Sequence, residues 1–171
     1  MKSIHLLNLD RGTLQVLQSD AGKFCNDTGL SIGGNTAILI DVVAQTTRLM
    51  TAVGGDPKWF CYLAVDNTTK KIVGTCAFKG PPKERSVEIA YFTFPEFEGQ
   101  GYATAMASLL IMAAQSSPEV ERIIAHTLPE KSASTSILQK VGMKFAGEVM
   151  DPEDGHVWRW SLESEHQFRT S

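Results

Sequence analysis

Between Val87 and Met106 the chain reads Val-Glu-Ile-Ala-Tyr-Phe-Thr-Phe-Pro-Glu-Phe-Glu-Gly-Gln-Gly-Tyr-Ala-Thr-Ala-Met, a β-rich run that enters a glycine turn and leaves it as a helix. Ser86 to Phe94 is dense in Val, Ile, Tyr and Phe, and Pro95 stops it as a strand. From Tyr102 the apolar positions Met106, Leu109, Leu110, Ala113 and Ala114 recur at helical spacing. A strand–turn–helix of this kind aims several main-chain N–H groups at one point, and the helix dipole adds a partial positive charge of about 0.5 there. The result is a site for a phosphate or pyrophosphate. Gly99 and Gly101 let the backbone come close to such a ligand, and Ala103 and Thr104 keep the first helical turn open.

The rest of the chain has to build a fold around this unit. Ile4 to Leu9 reads as a short strand, followed by a helix capped by Asp10 or Thr13 and running toward Asn26. A second helix from about Asn35 carries one apolar stripe, Leu39, Val42, Val43, Thr46, Met50 and Val53. Trp59–Val65 and Lys71–Phe78 flank a polar turn and predict a hairpin. After the central unit come a strand over Arg122–Thr127, a helix capped by Ser132 or Ser134 and closed by Gly142, and two strands, Met143–Met150 and His156–Leu162, joined by Asp151–Gly155. The order is strand, two helices, three strands, helix, strand, helix, two strands. This predicts a mixed α/β domain with antiparallel hairpins and one parallel pair at the strand-helix-strand step after Pro95. No linker divides the chain, so residues 1–171 are expected to form one domain, with 163–171 as a frayed polar tail.

At 171 residues a folded chain buries roughly 70% of its extended surface, enough for a core without disulfide or metal staples. A net charge of −3 with no Lys/Arg run argues against a nucleic-acid partner. Cys25, Cys61 and Cys76 form no C-x-x-C pair, which suits free thiols in a reducing cytoplasm. The N-terminus has no apolar run of a signal peptide. Met106–Ala114 falls short of the ~20 residues that span a bilayer, so no membrane partner is expected. His5, His126, His156 and His166 lack metal-ligand spacing, so no metal is expected.

Three nucleotide patterns compete for the glycine turn. A Walker loop requires Lys-Ser or Lys-Thr after the glycines, and none follows. A dinucleotide fingerprint beginning at Gly99 requires Gly or Ala where Thr104 stands. The pattern [QR]-x-x-G-x-[GA] remains, with Glu98, Gly101 and Ala103 at its fixed positions. Residues 87–106 then resemble the acetyl-CoA-binding core of the GNAT N-acetyltransferase superfamily. Leu128–Ser134 with Ile137-Leu138-Gln139-Lys140-Val141-Gly142-Met143 resembles that family's N-x-x-S…L-x-K-x-G-F helix. The similarity is clear over residues 59–160, and residues 1–58 follow it by element type on the acceptor side. Residues 88–103 look most similar to the broad branch that holds ribosomal-protein and small-amine acetyltransferases.

The resemblance implies a GNAT-like acyl-CoA N-acyltransferase fold: a central mixed, mostly antiparallel sheet of six or seven strands with helices on both faces. It implies acetyl-CoA as donor and a primary amine, of a small molecule or a peptide N-terminus, as acceptor. It implies that Phe92, Thr93 and Phe94 bind the pantetheine arm as a pseudo-strand, with a backbone N–H near Phe92 meeting the oxyanion. Gly99, Gln100, Gly101, Tyr102, Ala103 and Thr104 are expected to hold the pyrophosphate. Glu88 is the expected base, working through water, with a sheet-surface ion pair as its structural alternative. Ser134 is expected to contact CoA or the leaving sulfur, or else to cap its helix. No Tyr lies between Ser134 and Ala146, where relatives often carry a general acid. Tyr91 and Tyr102 read as packing residues, and His126 as a surface residue. Trp158 and Trp160 read as core or dimer packing, and homodimers are frequent in the family.

Two positions depart from the family pattern. Glu98 replaces Gln or Arg, and its side chain is expected to turn away toward a basic residue. Lys131 replaces Asn and is expected to reach a phosphate. The loop carrying Asp151, Glu153 and Asp154 is acidic and would favour a cationic amine, or is simply a solvated turn. Two other readings remain: a CoA-binding sensor or partner domain without turnover, and a nucleotide-binding protein of another kind.

Overall fold

A computed structural model describes residues 1–164. Strand β1 (Ile4–Asn8) leads into helix α1 (Arg11–Ser19), where the Asp10 carboxylate accepts the Thr13 N–H at 2.8 Å as N-cap. The single helix expected to run to Asn26 is instead two. Asp20 adopts an extended conformation and accepts the Lys23 N–H at 2.9 Å, so it caps a new helix, α2 (Ala21–Thr28). An acid that satisfies orphan amides so well competes with helix continuation.

Helix α3 (Thr36–Val53) buries Leu39, Val43, Thr46 and Met50 as the periodicity predicts, but Val53 is 54% exposed at its frayed end. With its leading turn, Gly33–Val53 is long and apolar enough to cross a bilayer by length and composition, unlike the shorter Met106–Ala114 stretch. Its buried residues join the same apolar core as the strands.

The hairpin is β2 (Cys61–Asp66) and β3 (Ile72–Phe78). A 3-10 turn over Pro57–Trp59 delays the first strand by two residues. Then follow β4 (Ser86–Thr93), α4 (Tyr102–Gln115), β5 (Arg122–Thr127), α5 (Ala133–Lys140), β6 (Lys144–Asp151) and β7 (Gly155–Glu163). Among the described residues these strands make one seven-stranded sheet in the order β1-β2-β3-β4-β5-β7-β6. The β4–β5 pair is parallel and its neighbours are antiparallel, as the strand-helix-strand step predicts.

Helix α4 packs on β1, β3 and β4, and Val87 and Ile89 are buried while Glu88 between them is only partly covered. Period-two alternation thus gives β4 one apolar face and one polar face. Glu163 and Ser164, expected in a frayed tail, are tied down. Glu163 still pairs with Arg122, and Ser164 is buried with its N–H on the Glu121 carbonyl at 2.7 Å. Residues 165–171, including His166, lie outside the described residues.

Candidate active site

The site begins where two parallel strands part. β4 pairs with β5 only from Ser86↔Arg122 to Glu88↔Ile124, yet β4 runs on to Thr93 and β5 to Thr127. Over Ile89–Thr93, β4 keeps β3 as its neighbour, so a wedge opens on its other edge. The ladder register assigns the backbone groups. Lys79 N–H bonds the Glu88 carbonyl and Phe94 N–H bonds the Val73 carbonyl, both at 2.9 Å. Antiparallel alternation therefore turns Glu88, Ala90, Phe92 and Phe94 toward β3, and leaves Tyr91 and Thr93 facing the wedge. Gly74 on β3 makes this possible, because a Cβ there would collide with the Phe92 carbonyl oxygen.

At the open end of the wedge stands the glycine turn. Gly99 and Gly101 have φ of 71° and 91°, the left-handed region that favours glycine. Gly101 is the N-cap of α4, no side chain caps the helix, and its first turn holds no acid. Among the described residues the N–H groups of Tyr102, Ala103 and Thr104 therefore remain as unpaired donors at the positive end of the helix dipole. The buried ring of Tyr102 anchors this turn. Its hydroxyl donates to Asp66 Oδ2 at 2.6 Å, and it packs edge-on against Phe97 at 5.8 Å. That hydrogen bond, with the backbone amides of Thr69 and Thr68, holds the Asp66 carboxyl down at about 2. The same bond, with burial, pushes the Tyr102 phenol up to about 12.

Wedge and turn form one cleft of about 900 Å³, with α5 as its opposite wall. It brings together Phe92, Thr93, Gly99, Gly101, Tyr102, Ala103, Thr104 and Ser134. Three expected residues stand elsewhere. Phe94 is fully buried with its N–H in the ladder. Gln100 folds back to donate to the Glu96 carbonyl at 3.1 Å. Lys131 lies on the other side of α5, in a groove with Phe145, Trp158 and Trp160. It precedes the N-cap Ser132, and Lys140, the last residue of α5, is the lysine on the cleft wall. Glu98 also corrects its expectation. It lines the cleft, and among the described residues no basic side chain pairs with it.

Ser132, not Ser134, caps α5, in a reciprocal capping box with Thr135. Ser134 is thereby left free in the first helical turn. Tyr91 lines the same cleft, its hydroxyl 3.5 Å from the Ser134 carbonyl. Burial raises its phenol to about 12, so it stays protonated at neutral pH. Tyr91, expected as a packing residue, thus also faces the cleft, because its strand edge is left open where β4 and β5 part. Trp160 is core, its Nε1–H on Thr127 Oγ1 at 3.1 Å.

On the polar face of the sheet a chain of groups runs across three strands and the end of a fourth. Glu88 Oε1 lies 2.7 Å from His126 Nδ1 and 3.2 Å from Lys79 Nζ. Arg159 Nε donates to His126 Nε2 at 3.2 Å. A guanidinium only donates, so Nε2 is an acceptor and the proton of the neutral ring sits on Nδ1, donated to Glu88. His126 is not a surface residue, since its side chain is 7% exposed. No sequence signal marks this pairing, because register alone brings Glu88, His126 and Arg159 onto one face.

Glu88 lines a cavity of about 120 Å³ with Lys79, His126, Asp154, Tyr91 and Ser134, and the last two also line the large cleft. Burial pulls the Lys79 ammonium down, but Glu88, Asp154 and Asp151 outweigh it and leave its pKa raised. Among the described residues no group of three or more His, Cys, Asp or Glu could hold a metal ion.

Parted parallel strands beside an uncapped helix N-terminus are the arrangement expected of a GNAT-like acyl-CoA N-acyltransferase fold. A family model described as an acetyltransferase (GNAT) domain matches residues 40–144, more than half of the chain. This chain belongs to the GNAT acetyltransferase family, and by that membership it is an acetyl-CoA-dependent N-acetyltransferase.

Solved structures agree on the fold at low sequence identity. A GNAT-family acetyltransferase from Bacillus anthracis is 15% identical with a TM-score of 0.64, covering 96% of this chain and 98% of that one. A ribosomal L7/L12 α-N-protein acetyltransferase in complex with coenzyme A is 14% identical, TM-score 0.64, covering 95% of each chain. A Vibrio cholerae spermidine N-acetyltransferase in complex with CoA and spermine is 15% identical, TM-score 0.63, covering 94% of this chain and 95% of that one. No curated protein matches the chain.

Proposed function

We propose that the chain, acting as one acetyltransferase unit in a reducing cytoplasm, moves the acetyl group of acetyl-CoA directly to a primary amine, of a small molecule or a peptide N-terminus, in a ternary complex. The observation that carries this reading is the continuity of the cleft. Unpaired amides at Tyr102–Thr104 stand at one end, and Tyr91 and Ser134 open at the other onto the cavity that holds Glu88. The amides suit the diphosphate, with Lys140 as a cation on the facing wall. The edge of β4 at Tyr91 and Thr93 suits the amides of the pantetheine arm, as an added strand would.

Glu88 is the base of this reading. Its Oε1 is engaged by His126 and Lys79, and among the described residues no hydrogen bond reaches Oε2. That oxygen is free to take the amine proton, directly or through water, an amine otherwise being protonated with a pKa of about 10. His126 and Arg159 are positioning residues that hold the carboxylate as an acceptor. Attack on the thioester carbonyl puts negative charge on its oxygen, for which a wedge-facing N–H at Tyr91 or Thr93 is the donor. The sulfur leaves beside Ser134 and Tyr91, and Tyr91 carries a proton to give it. Asp151 and Asp154 at the cavity rim favour a cationic acceptor. The amine-acetylating neighbours support this acceptor class.

A second reading, capture of CoA without turnover, draws on the Glu98 carboxylate in the phosphate end of the cleft. Free-thiol release from acetyl-CoA, followed across a library of polyamines, amino acids and peptides, separates the two. Amine-dependent release that falls roughly 100-fold or more in Glu88→Gln, with little change in KM for acetyl-CoA, supports the transferase. Tight binding with no release from any amine supports the second reading.

A further inference from the structure

We propose that Lys79 is an acetylation site of this chain, taking the acetyl group from bound acetyl-CoA when no acceptor amine competes. This rests on the reading of the cleft given above. Lys79 directly follows β3, and its backbone N–H on the Glu88 carbonyl at 2.9 Å fixes it opposite the base. Its ammonium lies 3.2 Å from Glu88 Oε1 with the side chain 38% exposed, in the cavity that Tyr91 and Ser134 join to the cleft. Asp154 lines the same cavity. The chain thus keeps an ammonium of its own where an incoming cationic amine has to stand. Lys23, by contrast, pairs with Asp27 in the open, 61% exposed on α2.

The chemistry balances without a further reactant. Nζ gives one proton to the Glu88 carboxylate, which passes it to water. The neutral amine attacks the thioester carbonyl carbon, a C–N bond forms and the C–S bond breaks. The second proton lost from nitrogen ends on the sulfur, so the products are acetyl-lysine, CoA-SH and one proton in solution, with no change of oxidation state. An ammonium held charged by three carboxylates acylates slowly unless a base removes its proton, so fast modification at Lys79 would be diagnostic of Glu88 rather than of ordinary chemical acetylation. The product amide carries no charge, which removes the cation from beside the base.

The test is a time course of the full chain with acetyl-CoA and no acceptor, read by peptide mass spectrometry. Occupancy at Lys79 is compared with that at Lys23, Lys131 and Lys140, at two protein concentrations, and with acetyl phosphate as a chemical donor. The expected result is that Lys79 is modified first, roughly tenfold or more faster than the exposed lysines. Its rate should be independent of protein concentration, fall roughly 100-fold in Glu88→Gln, and slow when a turned-over amine is added. Acetyl phosphate should not select Lys79.

Modification at Lys79 no faster than at Lys23, or unchanged in Glu88→Gln, or rising with protein concentration, overturns the proposal. If amine turnover depends on Glu88 while Lys79 stays unmodified, this inference fails and the proposed function stands. If acetyl-CoA neither binds nor releases thiol, the proposed function itself fails. Lys79→Arg, which keeps the charge, should remove the modified peptide while Lys23 is labelled as before.

Discussion

Arg159 Nε sits 3.2 Å from His126 Nε2, on the side of the imidazole opposite Glu88. The guanidinium thereby selects the ring tautomer that donates to the carboxylate. Lys79, Glu88, Arg159 and, at longer range, Asp151 are the charged groups around the ring. Arg159→Met frees Nε2 to accept a proton. Nitrogen-15 NMR of the wild type should show the neutral ring with an unprotonated Nε2 and a protonated Nδ1. In Arg159→Met the ring is free to take either tautomer, so part of the Nδ1–H donation to Glu88 should be lost and kcat should fall with little change in KM for acetyl-CoA. Arg159→Lys, which keeps a donor and a charge, should retain most of the wild-type spectrum and rate. A wild-type neutral ring that carries its proton on Nε2 would contradict the clamp.

Gly74 is expected to be intolerant of any side chain for a reason that lies in β4. A Cβ there meets the Phe92 carbonyl oxygen, with Thr93 Cα at 3.1 Å and Met106 Cε at 3.2 Å behind it. Backbone has to shift to make room. Gly74→Ala should cost about 2–3 kcal/mol by denaturant titration, and should weaken acetyl-CoA binding because the wedge edge moves with it.

A Cβ added at Gly101 would meet only Lys2 Cγ, at an ordinary contact distance of 3.8 Å. Its constraint is the backbone angle of 91°. Gly101→Ala should therefore lower stability by about 1 kcal/mol through left-handed strain, and lower acetyl-CoA affinity more than stability alone explains, as the first-turn amides turn away from one point. Calorimetric titration checks the affinity, and Gly142→Ala (φ 92°, past the end of α5) serves as a control that strains the chain without moving these amides.

The Tyr102–Asp66 bond makes stability depend on pH at both ends. The folded Asp66 carboxyl sits at about 2 against 3.8, so its contribution is fully present above about pH 4 and is lost as pH falls toward 2. Tyr102, at about 12 against 10.0, contributes below about pH 10 and loses its share as pH rises toward 12. The acid effect should be about 2 kcal/mol. Tyr102→Phe should flatten this dependence in Tm measured from pH 2 to 5, and Asp66→Asn should do the same.

Much of the fold was legible in the sequence because its signals are local. The strand limits of β5, the start of α4 at Tyr102 and the parallel step after Pro95 follow from periodicity and breakers. The misreadings arose where one side chain outweighed the period. Asp20 divided the first helix, and Asp56 with Pro57 replaced the start of a strand by a turn.

The glycine turn was similarly legible, since Gly99, Gly101 and the uncapped start of α4 are neighbours in the chain. The other end of the site was not. Glu88 meets His126, 38 positions away, and through it Arg159, 71 positions away, only by strand register. Lys131, expected at a phosphate, lies outside the cleft because α5 is capped at Ser132 and the residue before the cap turns into the groove on its other side, while Lys140 lines the cleft.

The claim on which the rest stands is that the amides from Gly99 to Thr104 converge on the diphosphate of acetyl-CoA and hold the acyl group beside β4. A crystal structure of the full chain with CoA tests it most directly. Diphosphate density is expected within hydrogen-bonding distance of the Tyr102–Thr104 amides, with the pantetheine arm along Tyr91 and Thr93 ending near Glu88. CoA bound elsewhere on the chain, or a vacant wedge in crystals grown at saturating CoA, would contradict it.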